Sequence, residues 1–169
     1  MLVEFWMVLQ LTREVHSIQK RMMDKQIEMS HYASYASRLG SSTNMSISNL
    51  AGLPTELLPR ASLFAQYLDQ ASSVSASQNL QMMQMMGRVP ITGNQMIDMQ
   101  IQMSAYNQFK QEAIRAMKEQ EKNVLSEKEK EIQLELNTLS TTLKIKQEQL
   151  QAYKQRVDSQ AKNAAPDFG

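Results

Sequence analysis

The chain has no cysteine. That absence excludes disulfides, thiolate metal sites, iron–sulfur ligation and cysteine nucleophiles together, while leaving the compartment open. Glycine and proline are scarce, at 5 and 4 in 169 residues, and aromatic residues amount to one Trp, 5 Tyr and 4 Phe. So few turn-formers among many helix-formers argue for long helices rather than many short strands. Charge of one sign is also missing: 18 basic and 17 acidic side chains leave a formal charge of +1. No whole-molecule field exists to gather phosphate backbones or anionic membranes, so nucleic acid is not expected as a partner.

Long hydrophobic runs are lacking too. The opening MLVEFWMVLQL is apolar, but it has no basic leader and no small-residue cleavage site, includes Glu4, and runs into Arg13, Glu14 and Lys20. A bilayer span takes about 20 apolar residues. This stretch reads as the first turns of a helix, in a protein expected in the cytoplasm or exported without a cleaved signal peptide.

Catalytic constellations are missing as well. No Gly-rich phosphate loop, GxSxG elbow, HExxH pair or Walker-type lysine occurs. His16 and His31 are too far apart for adjacent helical turns and match no metal motif. Carboxylates cluster only where they alternate with lysine, the mark of a solvated helix face. No catalytic, cofactor-binding or metal site is expected, and the chain reads as non-enzymatic.

What is present is helical periodicity and 14 methionines. Over 1–39, Val8, Val15, Met22, Met29 and Ala36 recur every seven residues, with Leu11, Ile18, Tyr32 and Leu39 three places after members of that series. This alternating spacing lines one helix stripe, interrupted by Glu4 and Lys25. Gly40 is the expected stop, since glycine takes the left-handed C′ conformation at little cost. In SHYASYASRLG, the small residues Ser30, Ala33, Ser34 and Ser37 would permit close helix approach, flanked by Tyr32 and Tyr35.

Residues 40–93 read as a connector. No charge occurs from Ser41 to Thr55, and Pro54 and Pro59 discourage a helix at the residue before each. A modest helix is expected over 61–79, with Leu63, Phe64, Tyr67, Leu68 and Ala71 at helical spacing, fading into SSVSASQN. LQMMQMMGRVPITG then forms a Met-rich segment over 80–93. Methionine fills irregular gaps, so these side chains are expected inside the protein's own core; the alternative is an exposed surface forgiving of a variable partner.

Thr92 and Gln95 have capping-box spacing, with Asn94 as a competing cap. From there to Lys162 no Gly or Pro intervenes, giving a helix over 94–162 on the order of 100 Å long. Its first part carries a wide stripe of Ile97, Ile101, Ala105, Phe109, Ala113, Ile114 and Met117, suited to a bundle. A charge-dense stretch follows over 118–131. A narrow a/d seam follows in which Leu136, Leu143, Leu150 and Val157 repeat every seven residues, with Leu125, Ile132, Leu139 and Tyr153 at positions three after or four before such places. Lys146 occupies one core position, either fixing partner choice or reaching out to water. These nine residues are the expected partner interface. The end, 163–169, should fray.

The fold class that follows is all-α: a helical hairpin or bundle with a long C-terminal coiled-coil helix and a turn-rich helical cap in the middle. Paired terminal helices around a variable middle resemble, in layout alone, filament and secretion-apparatus subunits. The expected role is structural, through helix association with itself or another helical protein. Two rivals remain: a chaperone or adaptor gripping a client through the Met-rich segment, and peripheral membrane attachment through Leu2, Phe5, Trp6, Val8 and Leu9.

Overall fold

The computed structural model describes residues 2–41 and 52–164. It is all-α, with helices α1 (Leu2–Ser41), α2 (Leu58–Met85) and α3 (Gln95–Ala164). Residues 42–51 of the expected connector, and 165–169 of the tail expected to fray, lie outside the described residues. The packing divides into two units. Unit 1 takes Met1–Ser30 and Lys128–Gly169, and unit 2 takes His31–Glu127.

In unit 1 the two helical segments run antiparallel. Gln160 Nε2 donates to Glu4 Oε1 at 2.7 Å, Lys146 Nζ lies 2.8 Å from Glu14 Oε2, and Lys25 Nζ lies 3.0 Å from Glu135 Oε2. Partners on α3 thus descend as those on α1 ascend. Leu11, Val15 and Ile18 are buried from one side, and Ile132, Leu136 and Leu139 from the other. The heptad stripe of α1 is the cause: its other unit 1 members, Val8, Met22 and Met29, are half-buried. Lys25, which interrupts the stripe, is held by Glu28 at 2.9 Å as well as by Glu135.

Unit 2 is built on a cluster of Tyr35, Leu39, Leu53, Leu57, Ala61 and Leu125. Leu57 and Leu58 donate their backbone N–H to Pro54 O at 3.0 and 3.2 Å, a turn that leads into α2. Pro59 sits in the first turn of α2, where its missing N–H has no helical partner to lose. The second helix runs antiparallel to α3, with Arg60 bound to Glu121 and Asp69 to Lys110.

Several expectations need correction here. Gly40 is inside α1 and lacks a positive φ. A Cβ there would lie 3.3 Å from the flexible tip of Lys122, and α1 runs one residue further, to Ser41. The second helix does not fade at 79. It continues through the methionines to Met85 and ends at Gly87 (φ +64°), where Arg88 N–H donates to Met83 O and Gly87 N–H to Gln84 O, both at 3.0 Å. That is the paired closure of a Schellman cap, which needs a residue tolerant of the left-handed region. At the start of α3, Asn94 Oδ1 accepts from Met96 N–H at 3.1 Å. Thr92 instead donates its backbone N–H and its hydroxyl to Asp98 Oδ1, at 2.8 and 2.7 Å. The cap is therefore Asn94, and the expected Thr92–Gln95 box gives way to a Thr92–Asp98 brace.

Candidate functional site

The nine expected interface residues fall in two places. Leu125 is fully buried in the unit 2 cluster, against Tyr35 and Leu39 of α1 and the residues that open α2. The other eight belong to unit 1. Ile132, Leu136 and Leu139 are buried there, while Leu143, Lys146, Leu150, Tyr153 and Val157 are half-buried. The helix that pairs with this stretch is the chain's own α1. Toward its end the pair opens into a groove of about 440 Å³ around the Glu14–Lys146 ion pair, with Tyr153 and Arg156 in its wall. The Arg156 guanidinium carbon sits 5.5 Å from the centre of the Tyr153 ring, within cation–π range. Lys146 holds Glu14 below the usual carboxylate range, mainly by its hydrogen bond, with desolvation opposing.

Around the unit 2 cluster the charged groups are constrained. Arg60 grips Glu121 with Nε and Nη2, at 2.7 and 3.1 Å, and that hydrogen bonding raises the guanidinium pKa further. Burial lowers the pKa of Lys118, with Lys122 adding to the effect. Tyr35 is fully buried and its hydroxyl lacks a hydrogen-bond partner. Burial first, then the Glu121 carboxylate, push its pKa up. The Arg60–Glu121 pair ties α2 to α3.

Of the residues expected to pack on α2, Leu68 is buried and Phe64 and Ala71 are half-buried, with Phe64 against the unit 2 cluster, but two are not packed. Ala61, Leu68, Ser72 and Ala76 are buried, whereas Leu63 and Tyr67 are exposed. Small side chains permit close approach between helix backbones, which the larger residues would prevent. Ser72 Oγ donates to Asp69 O at 3.1 Å, so the one buried hydroxyl on this face is satisfied.

The outward surface of this region mixes exposed apolar side chains with uncharged Gln, Ser and Asn. Leu63, Tyr67, Val74, Met82, Met85 and Met86 on and after α2 are exposed, as are Ile91, Met96, Ile97, Met99 and Met103 at the loop and the start of α3. The Met-rich segment therefore does not fill the core, contrary to expectation; among its methionines only Met83 is half-buried. The wide stripe of α3 follows the same trend, with Ile97 exposed, Ile101, Ala105, Phe109, Ala113 and Met117 half-buried, and Ile114 buried. Between Ala61 and Phe109 only Asp69, Arg88 and Asp98 carry charge. Two of these are engaged: Asp69 pairs with Lys110 at 3.0 Å, and Asp98 is held below the usual carboxylate range by the backbone and hydroxyl of Thr92. This charge depletion was visible in the sequence and is the signal that periodicity alone missed.

In unit 1, Phe5, Trp6 and Leu9 are exposed and Val8 is half-buried. Among the described residues no helix is long and apolar enough to cross a membrane. His16 is exposed and His31 half-buried. Comparison with family models, curated proteins and solved structures finds no match for this chain.

Proposed function

We propose that the chain is a non-enzymatic helical assembly protein that associates through helix–helix contact on unit 2. The observation that carries this reading is the outer surface of α2 and the start of α3, where exposed Tyr and Met coincide with near absence of charge. The cores of protein interfaces are depleted in charge and enriched in aromatic residues and Met, whereas an ordinary solvated face carries Lys and Glu. The seam over 132–157 serves, on this reading, to close the molecule on its own α1, and unit 2 meets the partner.

The test is the mass of the protein in its native source under mild extraction. An assembly heavier than one 19.3 kDa chain, lost with Met85→Glu and Met99→Glu, supports the reading. A lone chain overturns it. The exposure of Met82, Met85 and Met86 also favours an adaptor that takes clients on this surface, since unbranched thioethers adapt to varied shapes. Protection of 80–93 from proteolysis only in the presence of a client would select that second reading.

A further inference from the structure

The cationic excess of this chain is concentrated at one end of unit 1. Residues 2–21 and 144–162, which face each other across the antiparallel pair, carry eight basic and four acidic side chains, a local charge of +4 in a chain whose total is +1. At the tip of α1, Val3, Phe5 and Trp6 are 74%, 64% and 60% exposed, and Leu9 is exposed one turn on. At 100° per residue these four lie within one half of the helix circumference, opposite the buried Leu11, Val15 and Ile18. Val3, rather than the half-buried Val8, completes the cluster. The same face continues with exposed Arg13, His16, Lys20 and Arg21, and its first acid is Asp24. Glu4 and Glu14, the acids of residues 2–21, turn to the other helix: Gln160 donates to Glu4 Oε1 at 2.7 Å and Lys146 Nζ lies 2.8 Å from Glu14 Oε2.

We propose that unit 1 docks on an anionic lipid surface, with Val3, Phe5, Trp6 and Leu9 inserted at the boundary between headgroups and acyl chains and Arg13, Lys20 and Arg21 over the charged headgroups. This surface belongs to the other unit and does not depend on the reading of unit 2. The apolar cluster covers about two turns of one helix, whereas a stable protein contact takes about 20–30 residues a side. A bilayer needs only a few inserted side chains when cations add to them, and the amphipathic indole ring suits the membrane–water interface. Each Lys or Arg held at an anionic membrane is worth roughly fivefold in partitioning. The cations of α3 stand one helix further back, about 8–10 Å, close to a Debye length at physiological salt, so each adds less. An acidic surface alone would leave the apolar cluster wet, and a neutral apolar one would leave the cations unpaired. An anionic bilayer offers charge at its surface and an apolar layer directly beneath.

Trp6 is the chain's one tryptophan, so its fluorescence reads insertion without a label. The full chain should float with vesicles of phosphatidylcholine mixed with phosphatidylserine, and Trp6 emission should move to shorter wavelength. Vesicles of phosphatidylcholine alone should bind at least about tenfold more weakly, and added salt should weaken binding to the anionic ones. Phe5→Glu with Leu9→Glu should lower partitioning at least about tenfold. Arg13→Gln with Lys20→Gln should lower it about 25-fold on anionic vesicles and leave neutral vesicles unaffected. All four positions are exposed, and unchanged helical circular dichroism would show that the fold is kept. Met85→Glu, which tests unit 2, should leave vesicle binding as it is. No flotation, or flotation with Trp6 emission unmoved, overturns the proposal. Equal binding to both kinds of vesicle overturns it too, as does loss of binding with Met85→Glu, which would move the contact to unit 2.

Discussion

The two antiparallel helix pairs in this chain solve the same problem with opposite materials. In unit 1, large aliphatic side chains face each other across the pair, and Lys25, Glu135, Glu14 and Lys146 flank the contact as cross-helix ion pairs. In unit 2, α2 meets its neighbours with the buried Ala61, Leu68, Ser72 and Ala76 and the half-buried Leu58 and Phe64, and turns Leu63, Tyr67 and Val74 outward. Large residues gain stability by area removed from water, roughly 25 cal/mol per Å². Small ones gain it by close backbone approach and leave the large ones for another surface. The seam that resembles an interface in sequence packs on the chain's own α1 and leaves Ile27, Leu134 and Ile145 exposed, while the helix that reads as a modest connector leaves Leu63, Tyr67 and Val74 exposed.

That contrast predicts very different responses to truncation. Ile132→Ala, at a position 4% exposed in unit 1, should lower stability by about 2–5 kcal/mol, the usual range for emptying a packed aliphatic site. Leu63→Ala should stay within about 0.5 kcal/mol, as surface substitutions do, when urea unfolding is followed at concentrations that keep the chain monomeric. Equal losses at the two positions would break the distinction between the pairs.

The reverse substitution sharpens it. Ala76 is fully buried in the small-residue contact of α2, so Ala76→Leu inserts a side chain where no volume is free. A loss of about 1–3 kcal/mol is expected from overpacking, read as a lower urea midpoint with unchanged slope. A stabilised Ala76→Leu would mean that α2 packs loosely and that its small residues set no distance.

The helices themselves were legible because heptad spacing and the scarcity of Gly and Pro act locally. Leu11, Val15, Ile18, Ile132, Leu136 and Leu139 all announce their burial through periodicity. The face of α2 was not legible that way. Hydrophobic periodicity weights large side chains, so Leu63 and Tyr67 outvote Ala61, Ser72 and Ala76, although the small set is the buried one. Gly40 misled for another reason: glycine permits a left-handed stop but does not impose one, and here it keeps a helical φ. Depletion of charge over 61–109 was the readable sign of the open surface, and it is a property of composition rather than of period.

Tyr35 allows a test inside the unit 2 cluster, where α1 contributes a large residue as it does in unit 1. Its buried hydroxyl has no hydrogen-bond partner, so Tyr35→Phe should raise stability by about 1 kcal/mol at neutral pH, by removing an unsatisfied polar group. The pH dependence has a definite sign. The folded state raises the pKa of this phenol, so above the ordinary value near 10 the unfolded chain releases a proton that the folded one retains. Stability therefore falls with rising pH, by up to about 1.4 kcal/mol per unit from this group. Lys118, whose pKa is lowered, pushes the other way at alkaline pH, and comparing Tyr35→Phe with the parent chain cancels that contribution. Parallel alkaline profiles for the two proteins would place the hydroxyl in water.

The smallest effect concerns the seam's one polar core position. Lys146 takes a place where periodicity asks for an aliphatic residue, and in unit 1 its ammonium reaches Glu14 across the pair at 2.8 Å. The pair is partly solvated on both sides, so its influence belongs to register more than to stability. Lys146→Gln keeps the first half of the methylene stem and removes the charge. Glu14, now held low chiefly by Lys146, should then titrate closer to an ordinary glutamate in a side-chain NMR titration. Its sign follows from the lowered value: the contribution of Glu14 is present above the ordinary carboxylate range and is lost as pH falls through the lowered one. The parent chain should accordingly hold its unit 1 contacts to lower pH than Lys146→Gln does. Val74→Gln on α2 should leave the Glu14 titration untouched, because no charge on that face takes part. If Lys146→Gln leaves Glu14 unchanged, the ion pair does not form in solution, and the antiparallel register of unit 1 rests on its aliphatic residues alone.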